Sequence, residues 1–223
     1  MDMRKKVVVI HTFLYSVEDL KKLFREKLPE VEMINIIDDS LLQESLDNKG
    51  MTKAVVRRIT QYALIAESMG VDAILNQCSS VGEAVDIVKN IINIPYVKID
   101  EPMARQAVQL GNKIAVIATA ISTIDPSTRL VENVAKEMKK DVVVKKYFAT
   151  GAYEALLQEN DRDKHNRIVI DTIEKASKEN DVIVLAQGSM YHLLPLLKHI
   201  QIPILTSLES GVEQLRYVLK LDI

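Results

Sequence analysis

One cysteine, no tryptophan and seven glycines in 223 residues each close off a class of protein. A lone cysteine cannot form an intramolecular disulfide, and no Cys/His cluster has the spacing of a zinc site, so neither a stapled secreted scaffold nor a metal centre is expected. Seven glycines leave little material for phosphate loops. Neither G-x-x-x-x-G-K nor G-x-G-x-x-G follows the first hydrophobic run, which argues against nucleotide binding. Formal charge is only −2 and the basic residues are scattered, so nothing marks nucleic acid or an anionic membrane as a partner. The MDMRKK start leads into an apolar run broken by His11 and soon followed by Glu18 and Asp19. That pattern is a first strand, not a secretion signal, and with one cysteine a reducing cytoplasm fits best.

What is present is material for a substantial core, with 48% hydrophobic and 27% charged residues. Short Val/Ile-rich runs alternate with stretches of helical periodicity, the pattern of α/β parallel sheets. Strands are expected near 6–12, 31–37, 71–76, 95–98, 113–118, 142–148, 182–186 and 203–206. Ser16 with Asp19 reads as a capping-box start. Pro102 and Pro126, just after Glu101 and Asp125, read as first-turn prolines, with Asp125 as a cap. Gly111 ends the helix that Pro102 opens. Thr52–Met69 and Asp161–Lys178 are amphipathic and read as crossover helices.

The chain also repeats itself. VDAILNQCSSVGEA (71–84) aligns with NDVIVLAQGSMYHL (180–193), INIPYVKIDEPMARQAV (92–108) with IQIPILTSLESGVEQL (200–215), and KVVVIHTF (6–13) with KIAVIATA (113–120). The offset holds at about 107–109 residues, so a unit of roughly 110 residues is duplicated. A fold of two similar halves follows, with the boundary in a short connection near residues 99–112. The informative mismatch is at the strand–helix junctions, where Cys78 aligns with Gln187.

In open α/β sheets ligands collect beyond the carboxyl ends of the strands, where first-turn amides point outward. Four such ends are polar here: His11-Thr12, Cys78-Ser79-Ser80, Thr119 with Ser122 and Thr123, and Gln187-Gly188-Ser189. Their hydroxyls and amides suit a small carboxylate, and the site residues are expected among them. Cys78 at a helix start, beside two serines, reads as a reactive thiol with a lowered pKa. The serines and threonines also make ordinary caps, and His11 is equally explained by lining a cleft or by bonding backbone carbonyls. His192, about one turn past Gln187, is a proton donor to the site or a surface residue.

DAILNQCSSVGEAV, IPYVKIDEPMARQAV, IAVIATAISTIDPSTRL, GAYEALL, DVIVLAQGSM and the IPILTSLESGVEQL tail together resemble the aspartate/glutamate/hydantoin racemase superfamily over nearly the whole chain. The resemblance implies two pseudo-symmetric Rossmann-like domains, residues 1–99 plus 208–223 and residues 100–207, with an active site in the inter-domain cleft, no organic cofactor and a homodimer. It also implies one catalytic cysteine from each half, one thiolate removing the proton beside a carboxylate and the opposite thiol returning it. The first cysteine falls on Cys78 and the second on Gln187, whose amide does not titrate in the useful range. Ser79, Ser80, Thr119, Gly188 and Ser189 fall on positions that resemble the family's carboxylate clamp. Three readings follow: a cofactor-independent racemase/isomerase acting on a small carboxylate through Cys78, with His192 or water as second donor; a one-thiol decarboxylase or cis-trans isomerase; and a small-acid binding protein.

Overall fold

The computed structural model describes residues 4–221. Its strands are β1 (Lys5–His11), β2 (Val31–Ile37), β3 (Ala73–Asn76), β4 (Tyr96–Lys98), β5 (Lys113–Ala118), β6 (Val143–Phe148), β7 (Val182–Leu185) and β8 (Ile204–Thr206). The helices are α1 (Val17–Lys27), α2 (Ser40–Asp47), α3 (Lys53–Ser68), α4 (Gly82–Val88), α5 (Glu101–Leu110), α6 (Ile121–Glu137), α7 (Ala152–Leu157), α8 (Arg162–Ser177) and α9 (Ser207–Val218). Two compact units result, one of the described residues up to Asp100 with those from Leu208 onward, the other Glu101–Ser207. Each holds a four-stranded sheet whose printed pairings are all parallel, ordered β2-β1-β3-β4 in the first and β6-β5-β7-β8 in the second.

Central strands here read as unbroken apolar runs because both faces are covered. In the second unit Ile114, Val116, Ala118, Val182 and Val184 pack with α5 and α6, while Ala115, Ile117, Ile183 and Leu185 pack with α7 and α8. In the first unit Val8, Ile10 and Ile74 pack against Leu41 of α2, Val55, Ile59 and Ala63 of α3, and Val85 of α4. The helices α1 and α9 are tied together where Lys27 bonds Glu213 at 2.6 Å and Arg216 donates to the Lys27 carbonyl at 2.6 Å.

The crossover helices start where their caps dictate. Thr52 Oγ1 accepts from the Val55 amide at 3.1 Å, and an Asp161 oxygen accepts from the Lys164 amide at 2.8 Å. Two other expected starts are corrected. Ser16 flanks α1 but makes no side-chain cap bond; its hydroxyl accepts from Gln77 Nε2 at 2.6 Å. Nor is Asp125 a cap: α6 begins at Ile121 with Ala120 before it, and Pro126 lies inside the helix. Its missing amide removes only the bond to the Ser122 carbonyl, one turn back.

Gly211 is required by closeness. A Cβ there would run into Ile99 Cγ1 and lie 2.8 Å from the Ile99 carbonyl oxygen. Because one of those neighbours is backbone, Gly211→Ala should destabilise the first unit by about 1–3 kcal/mol, the usual cost of overpacking. A lowered urea midpoint at unchanged slope is the expected measurement, and an unchanged midpoint would refute the close approach.

Candidate functional site

The order of each sheet reverses direction between its first and third strands, the switch point at which open α/β sheets bind ligands. In the first unit Ile10 pairs with Asn76, and Thr12 and Cys78 each lie two residues further on. In the second, Ile117 pairs with Leu185, and Thr119 and Gln187 each lie two residues further on. The register therefore puts Cys78 and Gln187 at the same place in the two sheets.

Cys78 is half-buried and extended, between β3 and a 3₁₀ turn, Ser79–Val81, that leads into α4. Burial pushes its thiol pKa up; against this act the Thr12 hydroxyl, the Ser80 amide and hydroxyl and the Val81 amide. The net direction is upward, which corrects the lowered value expected from the sequence. The reason is local: a short 3₁₀ turn and not a long helix starts at Cys78, and desolvation of a thiolate outweighs the donors.

The loop carrying the thiol is pinned from both sides. Asn76 Nδ2 donates to the Cys78 carbonyl at 2.8 Å, and the Gln77 amide to the Ile10 carbonyl at 3.0 Å. With its other amide group on Ser16, Gln77 has its orientation fixed. His11 is buried, its Nε2 2.8 Å from Asn35 Oδ1. Burial lowers its pKa, so it is neutral at neutral pH. Since Asn35 Oδ1 only accepts, the proton sits on Nε2 and Nδ1 holds a lone pair.

At these two strand ends His11 Nδ1, Thr12 Oγ1, Asn76 Oδ1 and Gln77 Oε1 are buried without a conventional hydrogen-bond partner. The Thr12 hydroxyl nevertheless acts on the Cys78 thiol, lowering its pKa. Buried polar atoms in this state cost roughly 1–3 kcal/mol each, and four of them collect at the strand ends on either side of Cys78. Sequence reading passed over Asn76, Gln77 and Asn35. The signal for the first two was there, since an amide pair closes an otherwise apolar strand run.

The second unit solves the same junction differently. Gln187 Oε1 accepts from the Thr119 amide at 2.6 Å, the Thr119 hydroxyl at 3.1 Å and the Ala120 amide at 3.1 Å. Its carboxamide oxygen thus takes up the amides at the β5–α6 turn. Ser122 and Thr123 are buried in the first turn of α6, while Gly188 and Ser189, half-buried, open a 3₁₀ segment, Gly188–Leu196. In that segment His192 is also half-buried, its Nε2 2.9 Å from Asn166 Oδ1; the same oxygen lies 3.0 Å from His165 Nδ1. Among the described residues no group of three or more His, Cys, Asp or Glu could hold a metal ion, and no helix is long and apolar enough to cross a membrane.

The profile of the Asp/Glu/Hydantoin racemase family matches residues 12–215. No curated protein matches the chain. Among solved structures, glutamate racemase of Bacillus anthracis is similar at TM-score 0.76 and 18% identity, over 98% of this chain and 82% of that one. Allantoin racemase of Klebsiella pneumoniae is similar at 0.74 and 15%, over 98% and 89%. Aspartate racemase of Picrophilus torridus is similar at 0.70 and 16%, over 97% and 94%. At such identities these structures establish a shared fold.

Proposed function

The chain belongs to the Asp/Glu/Hydantoin racemase family, and on that premise we propose that it is a racemase-type enzyme acting on a small carboxylic acid, with Cys78 as its acid/base. The observation that carries this reading is the setting of Cys78 at the β1/β3 switch point, with hydroxyl and amide donors from Thr12, Ser80 and Val81 around its sulfur. In the forward step the Cys78 thiolate takes the proton from the carbon beside the carboxylate and becomes a thiol. The electron pair moves into the carboxylate as an enediolate. Donors at the strand ends of the first unit, Ser79 and Ser80, supply its stabilisation, and such preorganised donors are usually the largest catalytic contribution. The thiol then returns a proton to the same carbon.

A single acid/base returns the proton to the face it came from. Gln187, at the position matching Cys78, has no titratable group, and its oxygen is committed to Thr119 and Ala120. The reading is therefore proton exchange on one face, by a homodimer as the family resemblance implies, in the reducing cytoplasm that a lone cysteine suits. The raised thiol pKa also supports a one-thiol decarboxylase, because a resting neutral thiol is the proton donor that step requires.

Incubation of candidate acids in deuterated water tests both. Deuterium entering beside the carboxylate with configuration retained is the expected result, and carbon dioxide release identifies the second reading. Inversion as fast as exchange, persisting in His192→Asn, would refute one-thiol chemistry. If no acid exchanges, loses a carboxyl or slows alkylation of Cys78, the enzyme reading fails.

A further inference from the structure

We infer that the acid handled at Cys78 carries an apolar substituent, aliphatic or aromatic, and not a second carboxylate; this rests on the reading of Cys78 given above. The residues around the strand ends divide into an exposed apolar set and a set of charges that are already paired. In the first unit Leu14 is 55% exposed, Tyr15 38% and Ile37 44%. Leu14 lies two residues after Thr12, Ile37 ends β2 in register with His11, and Phe13 stacks on Tyr15 with ring centroids 5.1 Å apart. Large apolar side chains left open beside buried, unpartnered polar atoms describe a site with a polar floor and an apolar rim.

The second unit repeats the rim independently. Ile121, 51% exposed, lies two residues after Thr119, and Phe148, 39% exposed, ends β6 in register with Ala118. These are the positions of Leu14 and Ile37 under the duplication. The halves differ at their polar positions, with Cys78 against Gln187 and His11 against Ala118, yet both keep an open apolar side chain at the two rim positions.

The cations at the same ends are committed. Arg58 bonds Asp38 at 3.0 Å and pairs with Glu44, and Lys98, the last residue of β4, pairs with Asp86 at 2.8 Å. His11 is held neutral by burial. A substrate's second carboxylate would have to break one of these pairs or lose its water against Leu14, Tyr15 and Ile37. Both are unfavourable, whereas an alkyl or aryl group gains by burial at that rim.

Protection of Cys78 from iodoacetamide by two acid series tests the inference, with 4-methylpentanoate and 3-phenylpropanoate against succinate and glutarate. The apolar monocarboxylates should protect at concentrations roughly tenfold or more below the dicarboxylates, the discrimination a hydrophobic contact supports. Leucine and phenylalanine should exchange their α-proton faster than aspartate and glutamate. Leu14→Asp and Ile37→Asp, both at exposed positions, should erase that tenfold preference while thermal melting shows the fold intact. Preference for the dicarboxylates, or an unchanged preference in both variants, overturns the apolar substituent and leaves the Cys78 reading in place. Protection by neither series, with no exchange of any acid, overturns both.

Discussion

Cys78→Ala should abolish exchange at the carbon beside the carboxylate while carboxylate ligands still raise the melting temperature. The loss should be at least about 10²–10⁴ in rate, the range that a positioned acid/base supplies. Binding survives because the hydroxyl and amide donors at the strand ends are untouched, and a ligand that binds the folded state stabilises it by mass action. Cys78→Ser separates geometry from proton affinity. A hydroxyl fits the donors but gives up its proton far less readily than a thiol, so it too should be inactive. Exchange that persists in either variant would move the acid/base elsewhere, with His192 the first place to look.

The raised thiol pKa sets the accompanying pH dependence. The fold favours the neutral thiol, so thiolate accumulates only above the ordinary thiol range. Alkylation should be slow at neutral pH and accelerate as pH rises beyond that range, with the proton-abstraction limb of the rate profile following it. The linkage to stability has the matching sign: preference for the thiol stabilises the fold below the ordinary thiol pKa, and this is lost as pH rises through the raised value. Fast alkylation already complete at neutral pH would show that the donors outweigh burial.

Which features the sequence revealed follows from how local their causes are. All eight strands were legible because runs such as Val7–Ile10 and Val182–Leu185 must be covered on both faces, and their composition says so. The caps at Thr52 and Asp161 were equally readable, each bond spanning three residues. The errors came from partners far away in the chain. The start of α1 lacks a Ser16 cap bond because that hydroxyl is engaged by Gln77, 61 residues on. At α6 the Asp125-Pro126 pair looked like a start, but the turn before Ile121 is organised by Gln187, 68 residues from Thr119. The thiol's pKa direction was misjudged for a similar reason, since burial depends on what packs around Cys78 and not on its neighbours in sequence. The amides Asn76 and Gln77 could have been flagged, because polar residues ending a buried strand need a stated partner.

Gln187→Ala should lower the stability of the second unit by about 2–4 kcal/mol, because it removes the one oxygen that accepts from two backbone amides and a hydroxyl, and a buried donor left unsatisfied costs roughly 1–3 kcal/mol. For a unit of this size that is a fall in melting temperature of roughly ten degrees or more. Gln187→Glu keeps an acceptor oxygen in place and should melt near the native temperature; a loss equal to that of the alanine variant would mean that the Gln187 amide nitrogen, not its oxygen, holds the turn. Gln187→Cys carries the argument from structure to chemistry. It restores a titratable thiol at the position where the family resemblance puts the second acid/base, at the cost of part of the Thr119 and Ala120 anchoring. The expected outcome is a less stable protein in which exchange with retention gives way to racemisation, measured as loss of optical activity alongside deuterium uptake. Should that variant fold, exchange deuterium and still retain configuration, Gln187 would be only the structural anchor of the β5–α6 turn, and the proposal that a missing second thiol confines exchange to one face would fail.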